Sequence, residues 1–463
     1  MSSIDPRIFR AYDIRGRAHE QITTDACFQI GQAFGGELRE STGNDHPTVC
    51  VGRDARTHSP EFCDAVISGL VASGCTVTAI GQTPSPVNYF AICVGELDGG
   101  IQVTASHNPA HDNGLKLSLC DAEAFSGDDL QRLKKKIEVG SLMTGEGMVT
   151  DEDVTQPYAE FLTGLFRGIG DGIKVVVDGG NGVAGPLNCE ILKRIGADVM
   201  GLYIEPDGNF PNHAADPSKL DTLKDLQKMV IEHEADIGLA FDGDGDRVGI
   251  VDEKGVIRTA DEILLLLARD HLSRFPGAPI VFTVSNSGIL QTEIAKWGGK
   301  PVMCKVGHSF VEHAMREHGA LLGGEQSGHF FCGEDYFSYD DALVAALRIL
   351  KILKNAGTPL SSLFADFPTV YQSPERRPTV ADEHKTKVVS SVTRYFADLY
   401  PVETLDGVRI DFGDGAWAGI RQSNTSPSIS VCIEARSPER LRELEDLILE
   451  HLKNYPEIQW GKS

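Results

Sequence analysis

Positive charge is scarce in this chain. Its 463 residues carry 43 Lys and Arg against 67 Asp and Glu, a formal net charge of −24. Such a body repels nucleic acid and anionic membrane surfaces, so neither is expected as a partner. It equally repels phosphorylated metabolites, and a phosphate site here needs its own local positive charge. Paired cysteines are also missing. The ten cysteines form no CxxC pair and no metal-ligand spacing, and Cys75 and Cys432 sit inside strand-like runs. They read as reduced, buried thiols of a cytoplasmic protein, which leaves no disulfide framework. Long apolar runs are absent too. The most apolar helical stretch, Ile263 to Ala268, is far too short to span a bilayer, and the opening Met1-Ser2-Ser3-Ile4-Asp5-Pro6-Arg7 has no apolar core for a signal peptide.

What the chain does have is repetition. Its length exceeds one hydrophobic core, so several domains are expected. Three times, a β-rich run enters a polar loop with glycine at two of the three: Thr48 to Asp54, Lys174 to Gly182 and Pro279 to Asn286. A helical stretch follows each, then a glycine and a short strand, then a further strand-to-loop step. Strand, helix, strand in this order predicts an α/β protein of three repeated βαβ-type mixed-sheet domains. The last hundred residues differ. Prolines at 368, 374 and 378 mark what looks like a linker, and alternating runs with a closing helix from Pro438 toward Leu452 predict a small α+β domain. The expected domains are 1–150, 151–255, 256–366 and 367–463, packed around a central cleft.

Loops at the carboxyl ends of sheet strands are where α/β proteins place their chemistry. At the third strand-to-loop step, the second repeat carries Asp242-Gly243-Asp244-Gly245-Asp246-Arg247. With Gly243 and Gly245 at positive φ, the backbone can curl until three carboxylates face one spot, which suits a hard divalent cation. Arg247 beside them adds an anion-binding fork. An EF-hand would need glycine where Arg247 stands, and helical flanks. A solvated acidic turn is the other competing reading. In the first repeat the equivalent loop holds Ser106 in Thr104-Ala105-Ser106-His107-Asn108-Pro109, either a phosphoryl carrier or an ST-turn hydroxyl. The third repeat offers Gly324-Glu325-Gln326-Ser327-Gly328-His329. In the final domain, Arg421-Gln422-Ser423-Asn424-Thr425-Ser426-Pro427 clusters short donors behind one arginine, suited to a phosphate dianion or to an ordinary hairpin turn. Arg15, Lys116 and Lys305 lie near these loops and could supply positive potential.

These four loops, in this order, resemble the active-site motifs of the α-D-phosphohexomutases, and the resemblance covers essentially the whole chain. Asp207-Gly208-Asn209-Phe210-Pro211-Asn212-His213, Gly307-His308-Ser309 and Ser423-Asn424-Thr425 are most similar to the bacterial phosphomannomutase/phosphoglucomutase branch. The resemblance implies interconversion of hexose 1-phosphate and hexose 6-phosphate, of mannose or glucose, through a phosphoserine enzyme and a hexose 1,6-bisphosphate. It implies Mg²⁺ held by Asp242, Asp244, Asp246 and phosphorylated Ser106. Lys116, His329 and Arg15 are then the acid–base candidates, and Arg247 offsets charge on the transferring group. Glu325 and Ser327 would bind ring hydroxyls, Tyr12 and His308 would line the cleft, and Arg421, Ser423, Asn424 and Thr425 would hold the phosphate that is not reacting. Gln326 is similar to the phosphoglucosamine mutases, which makes an amino sugar the second substrate candidate. A magnesium-dependent sugar phosphatase and a non-catalytic sugar-phosphate sensor are the readings from other classes.

Overall fold

The computed structural model describes residues 4–423 and 426–460. The chain divides into two compact units, Met1–Leu267 with Ser327–Phe364, and Ala268–Gln326 with Ala365–Ser463.

The first unit opens with β1 (Ile14–Arg17), α1 (Thr24–Thr42), β2 (Thr48–Arg53), α2 (Ser59–Ala72), β3 (Thr76–Gln82), α3 (Ser85–Val94), β4 (Gly99–Val103), β5 (Asp112–Leu119), α4 (Asp128–Glu138) and β6 (Met148–Asp151). The six strands form one sheet in the order β1-β5-β4-β2-β3-β6. β2 runs parallel to β3 and β4, while β5 returns antiparallel to β4. The second repeat gives α5 (Thr155–Leu165), β7 (Lys174–Asp178), α6 (Gly185–Arg194), β8 (Asp198–Leu202), α7 (Lys224–Glu232), β9 (Ile237–Phe241), β10 (Val248–Asp252) and β11 (Ile257–Arg258). Its sheet order is β11-β10-β9-β7-β8. β7 is parallel to β8 and β9, and β10 again returns antiparallel. The two sheets therefore share one device. A fully buried strand, β4 or β9, ends in a loop that turns back into an antiparallel neighbour. Ser106 and the Asp-Gly loop occupy these two equivalent turns.

α8 (Ala260–Arg274) carries the chain onward to β12 (Pro279–Thr283), α9 (Gly288–Lys296), β13 (Lys300–Cys304), α10 (His308–His318) and β14 (Leu322–Gly324). β12 lies parallel to both β13 and β14, the same βαβ logic a third time. β15 (Phe330–Cys332) and α11 (Ala342–Ala356) belong to the first unit. The C-terminal sheet follows, with β16 (Tyr371–Gln372), α12 (Asp382–Ala397), β17 (Val402–Glu403), β18 (Val408–Asp411), β19 (Trp417–Gln422), β20 (Ile429–Ala435) and α13 (Pro438–Leu452), in the order β16-β20-β19-β18-β17. Ile410, Ile420, Ile429 and Val431 bury one side of it beneath Val392, Phe396, Leu444 and Ile448 of the two helices.

Two expectations are corrected, and one helix is added. The proline-marked stretch is not a free linker. β16 pairs with β20, and Arg376 bridges Val431, so the segment runs along a sheet edge where proline's missing N–H is tolerated. α12 has no counterpart in the sequence reading, because its run of Val, Ser and Thr has strand propensity while its buried positions follow helical spacing. Among the cysteines, Cys120 is exposed and Cys93 half-buried; the other eight are buried, and all ten are free thiols. Among the described residues no helix is long and apolar enough to cross a membrane.

Candidate active site

The Asp-Gly loop closes on itself through Asp242. Its Oδ1 accepts the backbone N–H groups of Gly245, Asp246 and Arg247 at 3.0, 3.1 and 3.2 Å. Gly245 sits at φ 80°, as a left-handed turn requires. Gly243 does not adopt positive φ and is needed for room instead. A Cβ there would meet the Ser106 carbonyl oxygen at 2.5 Å. This close approach joins the two equivalent turns.

Asp242, Asp244 and Asp246 are completely buried, and one carboxylate oxygen from each lies within 4.8 Å of the others. Burying three negative charges together is costly unless positive charge is supplied. Lys116, on β5, donates to Asp244 Oδ2 at 2.7 Å and also to Asp246 Oδ2. Burial by itself would strip the proton from Lys116; the two aspartates reverse that and hold the ammonium above its usual range. Burial also raises Asp242, reinforced by repulsion from Asp246 and Asp244. Asp246 goes the other way: burial opposes it, but Lys116 and Arg247 pull it well below the usual carboxylate range. Among the described residues, Asp244 Oδ1 and Asp246 Oδ1 remain buried with no hydrogen-bond partner. Two orphaned carboxylate oxygens in an all-oxygen donor set fit a hard divalent cation such as Mg²⁺.

Ser106 donates its hydroxyl to Asp242 Oδ2 at 2.8 Å and lies 3.1 Å from His107 Nδ1. It is buried and holds φ at 50°, a conformation rare for a residue with a side chain. Such local strain collects at functional turns. The neighbouring His107 is kept neutral by burial, with Arg247 and Arg15 adding to the effect. Arg15 reaches the same loop, donating to Asn108 Oδ1 at 3.2 Å, and pairs with Asp13 at 2.5 Å. Arg247 donates from Nε to His329 Nε2 at 2.8 Å, and His329 Nδ1 lies 2.6 Å from Asp340 Oδ2. The arginine thus fixes Nε2 as an acceptor, and the ring proton falls on Nδ1, facing Asp340.

The first unit therefore gathers Arg15, Ser106, Lys116, Asp242, Asp244, Asp246, Arg247 and His329. Tyr12 is half-buried beside Asp13, and Ser327 is half-buried in the same unit. In the second unit, Glu325 is buried and accepts the Gly307 N–H at 2.7 Å, next to His308 at the start of α10. Arg421 belongs to β19, paired with Ser430, rather than to the loop itself. Its Nη1 donates to the Gln422 carbonyl at 3.2 Å, and among the described residues its buried Nε has no partner. Ser423 and Ser426 hydroxyls lie 2.8 Å apart. Asn424 and Thr425 lie outside the described residues.

Sequence reasoning overlooked three supports. Ser85, at the start of α3, donates to Asp244 Oδ2 at 2.6 Å. Asp340 orients His329. Lys385 donates to the carbonyls of Ser423 and Ser426 at 2.7 and 3.0 Å, tying down the phosphate-suited loop. None sits inside a motif; only a lysine on the buried face of α12 gives any sequence signal.

Models of the phosphoglucomutase/phosphomannomutase α/β/α domains I, II and III match residues 6–142, 156–255 and 259–371, and that of the C-terminal domain matches 375–451. The chain is 41% identical to a phosphomannomutase/phosphoglucomutase of Pseudomonas aeruginosa, over 96% of this chain and 95% of that one. It is 35% identical to a phosphoglucomutase of Neisseria gonorrhoeae, over 99% of this chain and all of the other. A crystal structure of a phosphoglucomutase/phosphomannomutase family protein from Burkholderia thailandensis matches with a TM-score of 0.91 at 36% identity, covering 99% of this chain and 100% of that one. The chain belongs to the phosphoglucomutase/phosphomannomutase family, the α-D-phosphohexomutases.

Proposed function

We propose that this chain interconverts hexose 1-phosphate and hexose 6-phosphate, of mannose or glucose, with Ser106 as phosphoryl carrier and a hexose 1,6-bisphosphate as intermediate. The observation that carries this reading is the Ser106 hydroxyl held 2.8 Å from Asp242, within a buried aspartate cluster that has two unsatisfied oxygens. An ST-turn hydroxyl would bond its own loop, not a carboxylate 136 residues away.

In the forward half, a sugar hydroxyl attacks the phosphorus on Ser106. The bond to Ser106 Oγ breaks, the new ester forms on the sugar, the hydroxyl proton passes to a base, and Oγ regains one. After the bisphosphate turns over, its other phosphoryl group returns to Ser106 by the same steps. Asp242, Asp244 and Asp246 would hold Mg²⁺, which when bound supplies positive charge against the phosphoryl oxygens. Arg247 and Arg15 add fixed positive charge, and positioned electrostatics supplies most of the rate in phosphoryl transfer. Lys116 enters as an ammonium and serves as acid or charge partner. His329 is the other acid–base candidate, once its Nε2 is released from Arg247. Glu325 and Ser327 take ring hydroxyls, Tyr12 and His308 line the site, and Arg421, Ser423, Asn424 and Thr425 take the distal phosphate.

The test is incubation with Mg²⁺, a trace of glucose 1,6-bisphosphate, and the 1-phosphates of glucose, mannose and glucosamine in turn. Conversion of the glucose or mannose ester to its 6-phosphate without phosphate release is expected. Free phosphate without isomerisation would mean a phosphatase, and faster turnover of the glucosamine ester would move the substrate to the amino sugar.

A further inference from the structure

The Asp54-Ala55-Arg56 turn follows β2, which lies beside β4 in the first sheet, yet no step above uses it. Arg56 is the largest side chain buried to this degree, 1% exposed. All five of its N–H donors are engaged. Nε bonds Asp54 Oδ2 at 3.0 Å. Nη1 donates to the carbonyls of Pro109 and Asp112 at 2.6 and 3.0 Å, and Nη2 to those of Ser106 and Asn108 at 2.9 and 2.7 Å. Four carbonyls of one seven-residue segment thus converge on one guanidinium. Lysine, with three donors and no fork, cannot reproduce this.

The other side of Ser106 leads to the same place. Its N–H donates to Thr104 Oγ1 at 2.8 Å, and that hydroxyl donates to Asp54 Oδ2 at 2.8 Å. Ser59 donates to Asp54 Oδ1 at 2.6 Å. Both peptide groups flanking the Ser106 Cα are therefore fixed by the Asp54–Arg56 pair, which offsets the cost of φ at 50°. The second repeat closes the far side. Phe210 lies over the guanidinium with 5.1 Å to the ring centroid, and Gly208 packs so close that a Cβ would meet the Ala55 carbonyl at 2.5 Å. The Asp207 to His213 motif thereby rests on the residue that holds the serine.

We propose that Asp54 and Arg56 are positioning residues for phosphoryl transfer, fixing the direction of Ser106 Oγ toward Asp242. This rests on the reading of Ser106 as phosphoryl carrier. A misplacement of about 1 Å far from the chemistry costs roughly 10²-fold in rate. For Arg56→Lys we expect kcat about 10²-fold lower, with KM for glucose 1-phosphate within about threefold and slower phosphorylation of Ser106 by glucose 1,6-bisphosphate. Thr104→Val, which cuts only the N–H side and keeps shape, should lower kcat about tenfold with KM within about threefold, in a protein that melts somewhat lower but stays folded at the assay temperature. Should Arg56→Lys fail to fold, Thr104→Val decides alone. Wild-type kcat in folded Arg56→Lys or in Thr104→Val overturns the proposal. Ser106→Ala, run in parallel, separates the two failures: if it is inactive while Thr104→Val is normal, only the positioning role falls; if it stays active, the carrier reading itself falls.

Discussion

The serine–aspartate cluster of the first unit and the Arg421 to Ser428 segment of the second both suit phosphate, but they are built differently. In the cluster the carboxylates are wholly buried, a lysine is locked between two of them, and Ser106 is strained. Around Arg421 the bonding is local: the arginine is half-buried with its buried Nε unpartnered among the described residues, Ser423, Ser426 and Ser428 bond one another, and Lys385 pins carbonyls rather than side chains. Groups that must stabilise a transition state are fixed before substrate arrives, because reorganising them during reaction raises the barrier. Groups that only capture and release a phosphate can be held by short-range bonds that exchange for the ligand.

The contrast predicts unequal mutants. Ser106→Ala and Asp244→Asn should each lower kcat by about 10³-fold or more with little change in melting temperature, as read by a coupled assay on glucose 1-phosphate beside a thermal melt. Equal loss of stability and activity would mean that the cluster is structural. Arg421→Ala should act more mildly, raising KM and lowering kcat together for about 10- to 100-fold in kcat/KM, because distal binding energy helps position the reacting end. An unchanged KM would remove the phosphate role from β19.

The smallest effect concerns the cost of burial in the first unit. Asp341 is pushed up to about 6 by burial, although Val344 N–H and the hydroxyls of Tyr336 and Tyr158 donate to it. The folded state then binds this proton more tightly than the unfolded chain does. Its stability contribution is full below pH ~4 and declines as pH rises to about 6. Asn cannot ionise and caps a helix as well as Asp, so Asp341→Asn should gain in melting temperature relative to wild type between pH 4.5 and pH 7.5. A constant difference would show that the carboxyl is already charged at the lower pH.

How much could be read beforehand follows the range of each interaction. The Asp-Gly repeat was legible because alternating carboxylates and glycines act within one turn, and the strand ends were legible because each repeat announces them. The role of Gly243 is not legible locally, since its constraint is the Ser106 carbonyl from another sheet. Ser85 reaches Asp244 across 159 residues, and Arg56 reaches the serine loop across about 50; no local pattern encodes either pair. The turn residues after Arg421 dominate the local pattern and suggest a loop, while its pairing with Ser430 sets it in a strand.

The central claim is tested most directly by peptide mapping after the protein meets glucose 1,6-bisphosphate and Mg²⁺. We predict one phosphoryl group, on Ser106, that is lost to added hexose monophosphate and is absent when the metal is chelated. Phosphate on any other residue, or turnover with Ser106 never modified, would contradict the account.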